Sequence, residues 1–136
     1  MAFEVLELAY QLVASCKEIL KKLKEQDRDL ERQLRKALSG VPAGFAEGNW
    51  RGGRDRPYLF GTSAGSANEA GIHLRTAEAF GYVTIEEIAP PLALIDRVLA
   101  MSWRLTHRRW CRSGTDRRPA SDGGRRGARA RARSSP

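Results

Sequence analysis

A helical rhythm that survives a proline constrains this chain more than any other feature. Through residues 33–48, QLRKALSGVPAGFAEG, and just before them, Leu30, Leu34, Leu38, Val41 and Phe45 recur at spacings of three and four. That spacing draws one apolar stripe along a helix. Pro42 lies inside the stripe, where it removes a backbone donor and crowds the Leu38 carbonyl, at about 3 kcal/mol in a helix interior. A helix kept at that cost is predicted to kink, with Gly40 giving local freedom. Gly48 is predicted to end it, since a glycine just past a helix takes the left-handed conformation cheaply. The stripe points to a fold and to no reaction.

The rest of the chain reads as further helices. Residues 2–24 carry an apolar face of Leu8, Leu12, Cys16, Ile19 and Leu23 that turns polar at KKLKEQ. Asp27 is placed to cap the second helix, and Asn49 to Arg54, NWRGGR, has the glycines and charge of an exposed connection. Asp55 is a candidate cap for a third helix that tolerates Pro57 in its first turn and ends at Phe80, with Gly81 just beyond. Thr84 and Glu87 form a capping box flanked by Val83 and Ile88 as a hydrophobic staple, so FGYVTIEE reads as a tight hairpin between helices three and four. Pro90-Pro91 allows two courses: the fourth helix starts at Thr84 and kinks, or it restarts at Pro91. Leu92, Ile95, Leu99 and the region of Trp103 continue the stripe. Helix three is crowded with small residues from Gly61 to Gly71, which suits close approach of a neighbouring backbone.

At 136 residues the chain suits one ordinary core. Its charge is divided unevenly. Residues 1–103 hold 13 Lys and Arg against 14 Asp and Glu, a net of −1, whereas residues 104–136 hold 11 Arg against 2 Asp, a net of +9. The predicted organisation is a helical domain over 1–110 and a disordered basic tail over 111–136, which lacks the apolar residues to offset its ordering entropy. Cys16 falls on an apolar face, and it has no metal-type or disulfide-type spacing with Cys111. Such cysteines, with no signal-like opening and no apolar run near the roughly 20 residues of a membrane span, suit a cytoplasmic protein without membrane contact.

With these motifs in place, the chain resembles the four-helix bundle proteins first noticed in intervening sequences of bacterial 23S ribosomal RNA genes. Those are related to the accessory variability determinant of diversity-generating retroelements. The match is carried by QLRKALSGVPAGFAEG at 33–48, AGSANE at 64–69 and FGYVTIEE at 80–87, with EVLELAYQLV at 4–13 as a weaker element. It covers residues 3–107. Leu6 and Gly44 depart from it, standing where the family usually has tryptophan and asparagine, and the proline pair and the tail lie outside its pattern. The resemblance implies an antiparallel up-and-down four-helix bundle that assembles as a ring, typically a homopentamer, without enzyme activity or cofactor. In the retroelement relatives the ring is thought to bind nucleic acid and a reverse transcriptase.

Several motifs invite a chemical reading. Gly61-Thr62-Ser63-Ala64-Gly65 has the form of a nucleophile elbow, but that motif needs a strand and a sheet, and here it sits inside a helix. Glu69 and His73 share a helix face and could hold a metal with Glu47, yet a bundle metal site wants more inward carboxylates. Pairing of Glu47 and Glu69 with Arg32, Arg35 or helix-end amides is the plainer expectation, so no catalytic or metal residue is assigned. Trp50-Arg51-Gly52-Gly53-Arg54 joins an aromatic to an RGG-like loop that can stack on bases and touch phosphate. The arginine tail displaces counterions from nucleic acid by its composition alone. A solubilising tail, or translation of a GC-rich frame, accounts for the same composition. The nucleic-acid candidates are therefore Trp50, Arg51, Arg54 and Arg56 in the loop, with Arg104, Arg108, Arg109, Arg112, Arg117, Arg118, Arg125 and Arg126 towards the end of the chain. The other reading is a protein-interaction scaffold that docks an enzyme such as a reverse transcriptase, without binding nucleic acid itself.

Overall fold

A computed structural model describes residues 2–114, with side chains for residues 3–107. These residues are all-helical: α1 (Ala2–Ser15), α2 (Lys17–Gln26), α3 (Arg28–Arg51), α4 (Asp55–Ala79) and α5 (Ile85–Gly114). Five helices stand where four were expected, because the first is divided at Cys16. The Ser15 hydroxyl donates to the Leu12 carbonyl at 2.7 Å, occupying the acceptor that the Cys16 amide would otherwise use. That amide turns instead to Val13 at 3.2 Å, and the next turn resumes with Leu20 donating to Cys16 at 2.9 Å. Competition of a serine hydroxyl with the backbone is a known cause of such a break.

The core is a single cluster drawn from all five helices. Leu8, Leu12, Cys16, Ile19 and Leu23 meet Leu34, Leu38, Val41 and Phe45 of α3, Phe60 and Leu74 of α4, and Ile88, Ile95 and Val98 of α5. Phe45 and Phe60 pack edge to face at 5.3 Å, a geometry that aligns the positive ring edge with the negative face. Helix α3 packs on α4, α4 on α5, α5 on α1 and α1 on α3, with α2 lying against α3 as well.

Local signals held at several ends. The Asp27 side chain accepts from the Leu30 amide at 3.0 Å. Thr84 Oγ1 accepts from the Glu87 amide at 3.2 Å while Glu87 reaches back to the Thr84 amide at 3.4 Å. Val83 and Ile88 are both buried. Gly81 takes φ +79°, and the Tyr82 amide donates to Ala77 while the Gly81 amide donates to Glu78, the paired bonds of a Schellman ending.

Other boundaries moved. Gly48 does not end α3, which continues to Arg51 with Gly52 at its cap in a left-handed conformation, φ +62°. Gly48 is glycine for space: a Cβ there would come within 2.8 Å of the Phe60 ring. Asp55 caps nothing, since Arg54 holds the cap position without a side-chain bond and Asp55 is already helical. Helix α5 runs unbroken through Pro90 and Pro91, with no restart, and Pro91 is fully buried. Burial of its ring against the core offsets the donor it lacks. At the C-terminal end Ser102, not Trp103, turns inward: Ser102 is 2% exposed and Trp103 60%.

The close helix approach is also reversed between partners. On α3, a Cβ at Gly40 would meet the Ser66 hydroxyl at 2.8 Å, and one at Gly44 would collide with the Ser63 hydroxyl. On α4, Gly61 and Gly65 face outward, and no neighbouring atom of the described residues lies within 4 Å of such a Cβ. The glycines that permit contact belong to α3, and α4 supplies the serines they receive. An asparagine at position 44, expected from the family pattern, would have no room against Ser63 and the Leu59 carbonyl.

Candidate nucleic-acid interface

The connection between α3 and α4 is shorter than NWRGGR suggests. Asn49, Trp50 and Arg51 are the last turn of α3, and only residues 52–54 lie between the helices. Gly52 and Gly53 both take positive φ, a turn that side-chain-bearing residues adopt at a cost. The turn leaves Trp50 90% exposed, projecting beside Phe3, Leu6 and Ala46.

The arginines around this turn are not equivalent. Arg51 is engaged, at 2.7 Å from Glu47 and 3.9 Å from Asp55. Arg56 sits over the Phe60 ring at 5.2 Å and donates to the Asn49 side-chain oxygen at 3.4 Å. Arg54 is exposed and has no ion-pair partner among the described residues. It is the loop cation available to a phosphate.

Helix α5 passes beside this turn at residues 102–105. The Ser102 hydroxyl donates to the Phe60 carbonyl at 3.3 Å, and Leu105 closes a cleft of about 300 Å³ with Gly53, Arg56, Pro57 and Phe60. Arg104 is exposed on the same stretch of α5. The fold thus brings Trp50, Arg51, Arg54 and Arg56 to the end of the molecule where Arg104 lies and where the arginine-rich sequence begins. Arg108, Arg109 and Arg112 belong to the backbone of α5, but their side chains, like that of Cys111, lie outside the described residues. So do Arg117, Arg118, Arg125 and Arg126, and the tail beyond Gly114.

Two aromatics here escaped the sequence reading. Trp103 stacks on His107 at 4.2 Å and 17°, with His107 Nδ1 2.9 Å from the Trp103 carbonyl. Tyr58 is 75% exposed on the first turn of α4. The Trp–His spacing of four was the available signal, masked by reading Trp103 as part of the apolar stripe.

The remaining candidates do not assemble a reaction centre. Ser63 is wholly buried and its hydroxyl donates to the Val41 carbonyl at 2.9 Å, so it is a packing residue, inaccessible to substrate. His73 Nε2 lies 3.4 Å from Glu69, but among the described residues no third His, Cys, Asp or Glu completes a metal site. The expected pairing also changed: Glu47 holds Arg51, while Arg35 binds Glu31 at 2.5 and 2.8 Å and Arg32 binds Asp29 at 2.7 Å. Among the described residues, no helix is long and apolar enough to cross a membrane.

The described residues form an all-helical domain, with exposed aromatics and cations near one end. Residues 1–104 match the family model of the 23S rRNA-intervening sequence proteins, and the chain belongs to that family. The match ends at Arg104, so the arginine-rich tail falls outside it, as the motifs implied. No curated protein and no solved structure matches the chain.

Proposed function

We propose that this chain is a non-enzymatic, homo-oligomeric accessory protein of the cytoplasm that contacts nucleic acid through the α3–α4 turn and the arginines following α5. In this reading α1 and α2 form one rod, the four rods run antiparallel as an up-and-down bundle, and the assembly is a homopentameric ring akin to the accessory determinants of retroelements. The observation that carries it is the cleft in which Leu105 of α5 meets Gly53 and Arg56 of the turn, beside Arg104 in sequence on one side and Arg54, without an ion-pair partner among the described residues, on the other. An exposed indole offers a face to stack on a base, and arginines supply the counterion-releasing contacts that dominate affinity. In a ring, several such ends share one ligand and raise the effective concentration of each.

Fluorescence anisotropy with labelled duplex DNA and single-stranded RNA tests it. Contacts with about six phosphates give a log–log salt slope near −5 on duplex DNA, with little sequence preference. Truncation after Gly114 is expected to lower affinity and flatten the slope, while Trp50→Ala weakens single-strand binding. If neither nucleic acid binds at low salt, the proposal fails.

A second reading, a scaffold that docks a partner enzyme such as a reverse transcriptase, draws on an open apolar groove of about 680 Å³ between α4 and α5. Ile72 and Phe80, exposed to 57% and 65%, stand on its rim. Preparations free of copurifying nucleic acid, judged by the 260/280 ratio, favour this reading over the first.

A further inference from the structure

A second cationic surface lies away from the α3–α4 turn, where α1 gives way to α2. Val13, Ala14 and Leu20 floor a groove of about 380 Å³, rimmed by Lys17, Lys21 and Lys24 on α2 and by Arg35 across on α3. Val13 and Leu20 are half-buried against the core, and the lysines are exposed. Its position near the α2–α3 connection places it towards the end of the molecule where Gln26 reaches the Tyr82 carbonyl, opposite the Trp50 end of α3.

The four cations divide into two kinds. Lys21 is held by Glu18 at 3.3 Å and Arg35 by Glu31. Lys17 and Lys24 have no ion-pair partner among the described residues. They are seven residues apart on α2, which sets their backbone positions about 10.5 Å apart on one face, with Leu20 between them.

We infer that this groove docks an acidic, apolar-centred peptide segment of a partner protein. The free lysines call for two carboxylates at matching distance, and Leu20 with Val13 calls for an apolar side chain between those carboxylates. On a helical ligand that is an acid at i and i+7 with an apolar residue near i+3 or i+4; on an extended ligand, where alternate residues share a face, the acids stand at i and i+4 with the apolar residue at i+2. Charge complementarity of this kind sets partner choice and register. Nucleic acid fits the groove less well. Its floor is apolar, and no aromatic lines it for stacking. This inference is independent of the nucleic-acid reading, because it uses none of the same residues.

The test is a selection from a random dodecapeptide display library on the full chain. Enriched peptides are expected to carry paired acids around a Leu, Ile or Phe. They should lose at least about tenfold in affinity on a Lys17→Glu/Lys24→Glu protein and keep it on Arg54→Ala. Both lysines are exposed, so circular dichroism should show the double variant fully helical. A peptide with its acids exchanged for lysine should prefer the double variant to the parent. Enriched peptides without acids, or binding indifferent to Lys17 and Lys24, overturn the inference. So does retention of duplex DNA or phosphatidylserine vesicles, and of no acidic peptide, through these two lysines.

Discussion

Across the α3–α4 contact the Ser63 hydroxyl donates to the Val41 carbonyl at 2.9 Å, with both residues fully buried. One residue pair thus joins the two helices at the point where Gly44 removes its own side chain to admit Ser63. The bond ties the serine of a would-be nucleophile elbow into the backbone of its neighbour, which is why that motif here is architecture.

Ser63→Ala is expected to destabilise the fold by about 1 kcal/mol, the usual net worth of such a bond. Gly44→Ala should cost more, about 1–3 kcal/mol from overpacking, less the helix-propensity gain of up to about 1 kcal/mol. Because the colliding atom is the Ser63 hydroxyl, the two substitutions should couple. Urea unfolding of the double variant checks this: a cost equal to the sum of the singles would show that Ser63 is not the obstacle.

Gly48→Ala should also destabilise, because the Phe60 ring is pinned by Phe45 and cannot give way freely. Gly61→Ala and Gly65→Ala should act in the opposite direction, raising stability by up to about 1 kcal/mol, since among the described residues nothing meets the new methyl group. Thermal melts of the four glycine variants should fall into these two groups. A Gly65→Leu protein that melts normally yet changes its size by light scattering would locate a subunit contact on this face.

The Glu87 carboxyl is held below its ordinary value, chiefly because Lys22 donates to it, with Thr84 adding to the effect. Lys22 Nζ approaches both carboxylate oxygens at 2.8 Å. A lowered acid stabilises the fold above its unfolded-state pKa, and the contribution is lost as pH falls through the folded value. Glu87→Gln preserves the capping box but not the charge, so it should be less stable at neutral pH, and the difference should narrow as pH falls below the ordinary glutamate value of about 4.3. A gap that stays constant across this range would mean that the Lys22 pairing contributes nothing.

Burial pushes the Cys16 thiol up to about 11, against a smaller opposing effect of Ser15. The thiolate is the reactive form, so Cys16 should resist iodoacetamide at neutral pH until the chain unfolds. Peptide mapping by mass spectrometry reads this site separately from Cys111. Since the neutral thiol is the form the fold prefers, stability should decline as pH rises from about 9 towards 11. Rapid labelling of Cys16 in the folded protein would contradict its burial.

Much of this fold was legible in short range. The Asp27 cap, the Thr84–Glu87 box, the Gly81 ending and the stripe across Pro42 depend on bonds and contacts within five residues, and each stands where sequence spacing puts it. The candidate interface was legible in part: Trp50 and the arginines were visible, but their separation into the free Arg54, the engaged Arg51 and Arg56 on Phe60 was not. Helix α4 shows why. Small residues surround it on every side, so no apolar stripe sets its rotation, and only packing against α3 decides that Ser63 and Ser66 turn inward while Gly61 and Gly65 turn out. The same dependence placed Ser102 inside and Trp103 outside, and kept Gly48 within α3. By itself the sequence determined the helix starts at Asp27 and Thr84 and the turn at Gly81, because hydrogen bonds over three to five residues specify those points. Tertiary structure decided which face of each helix is core and which cations remain free, because those outcomes depend on neighbours distant in the chain.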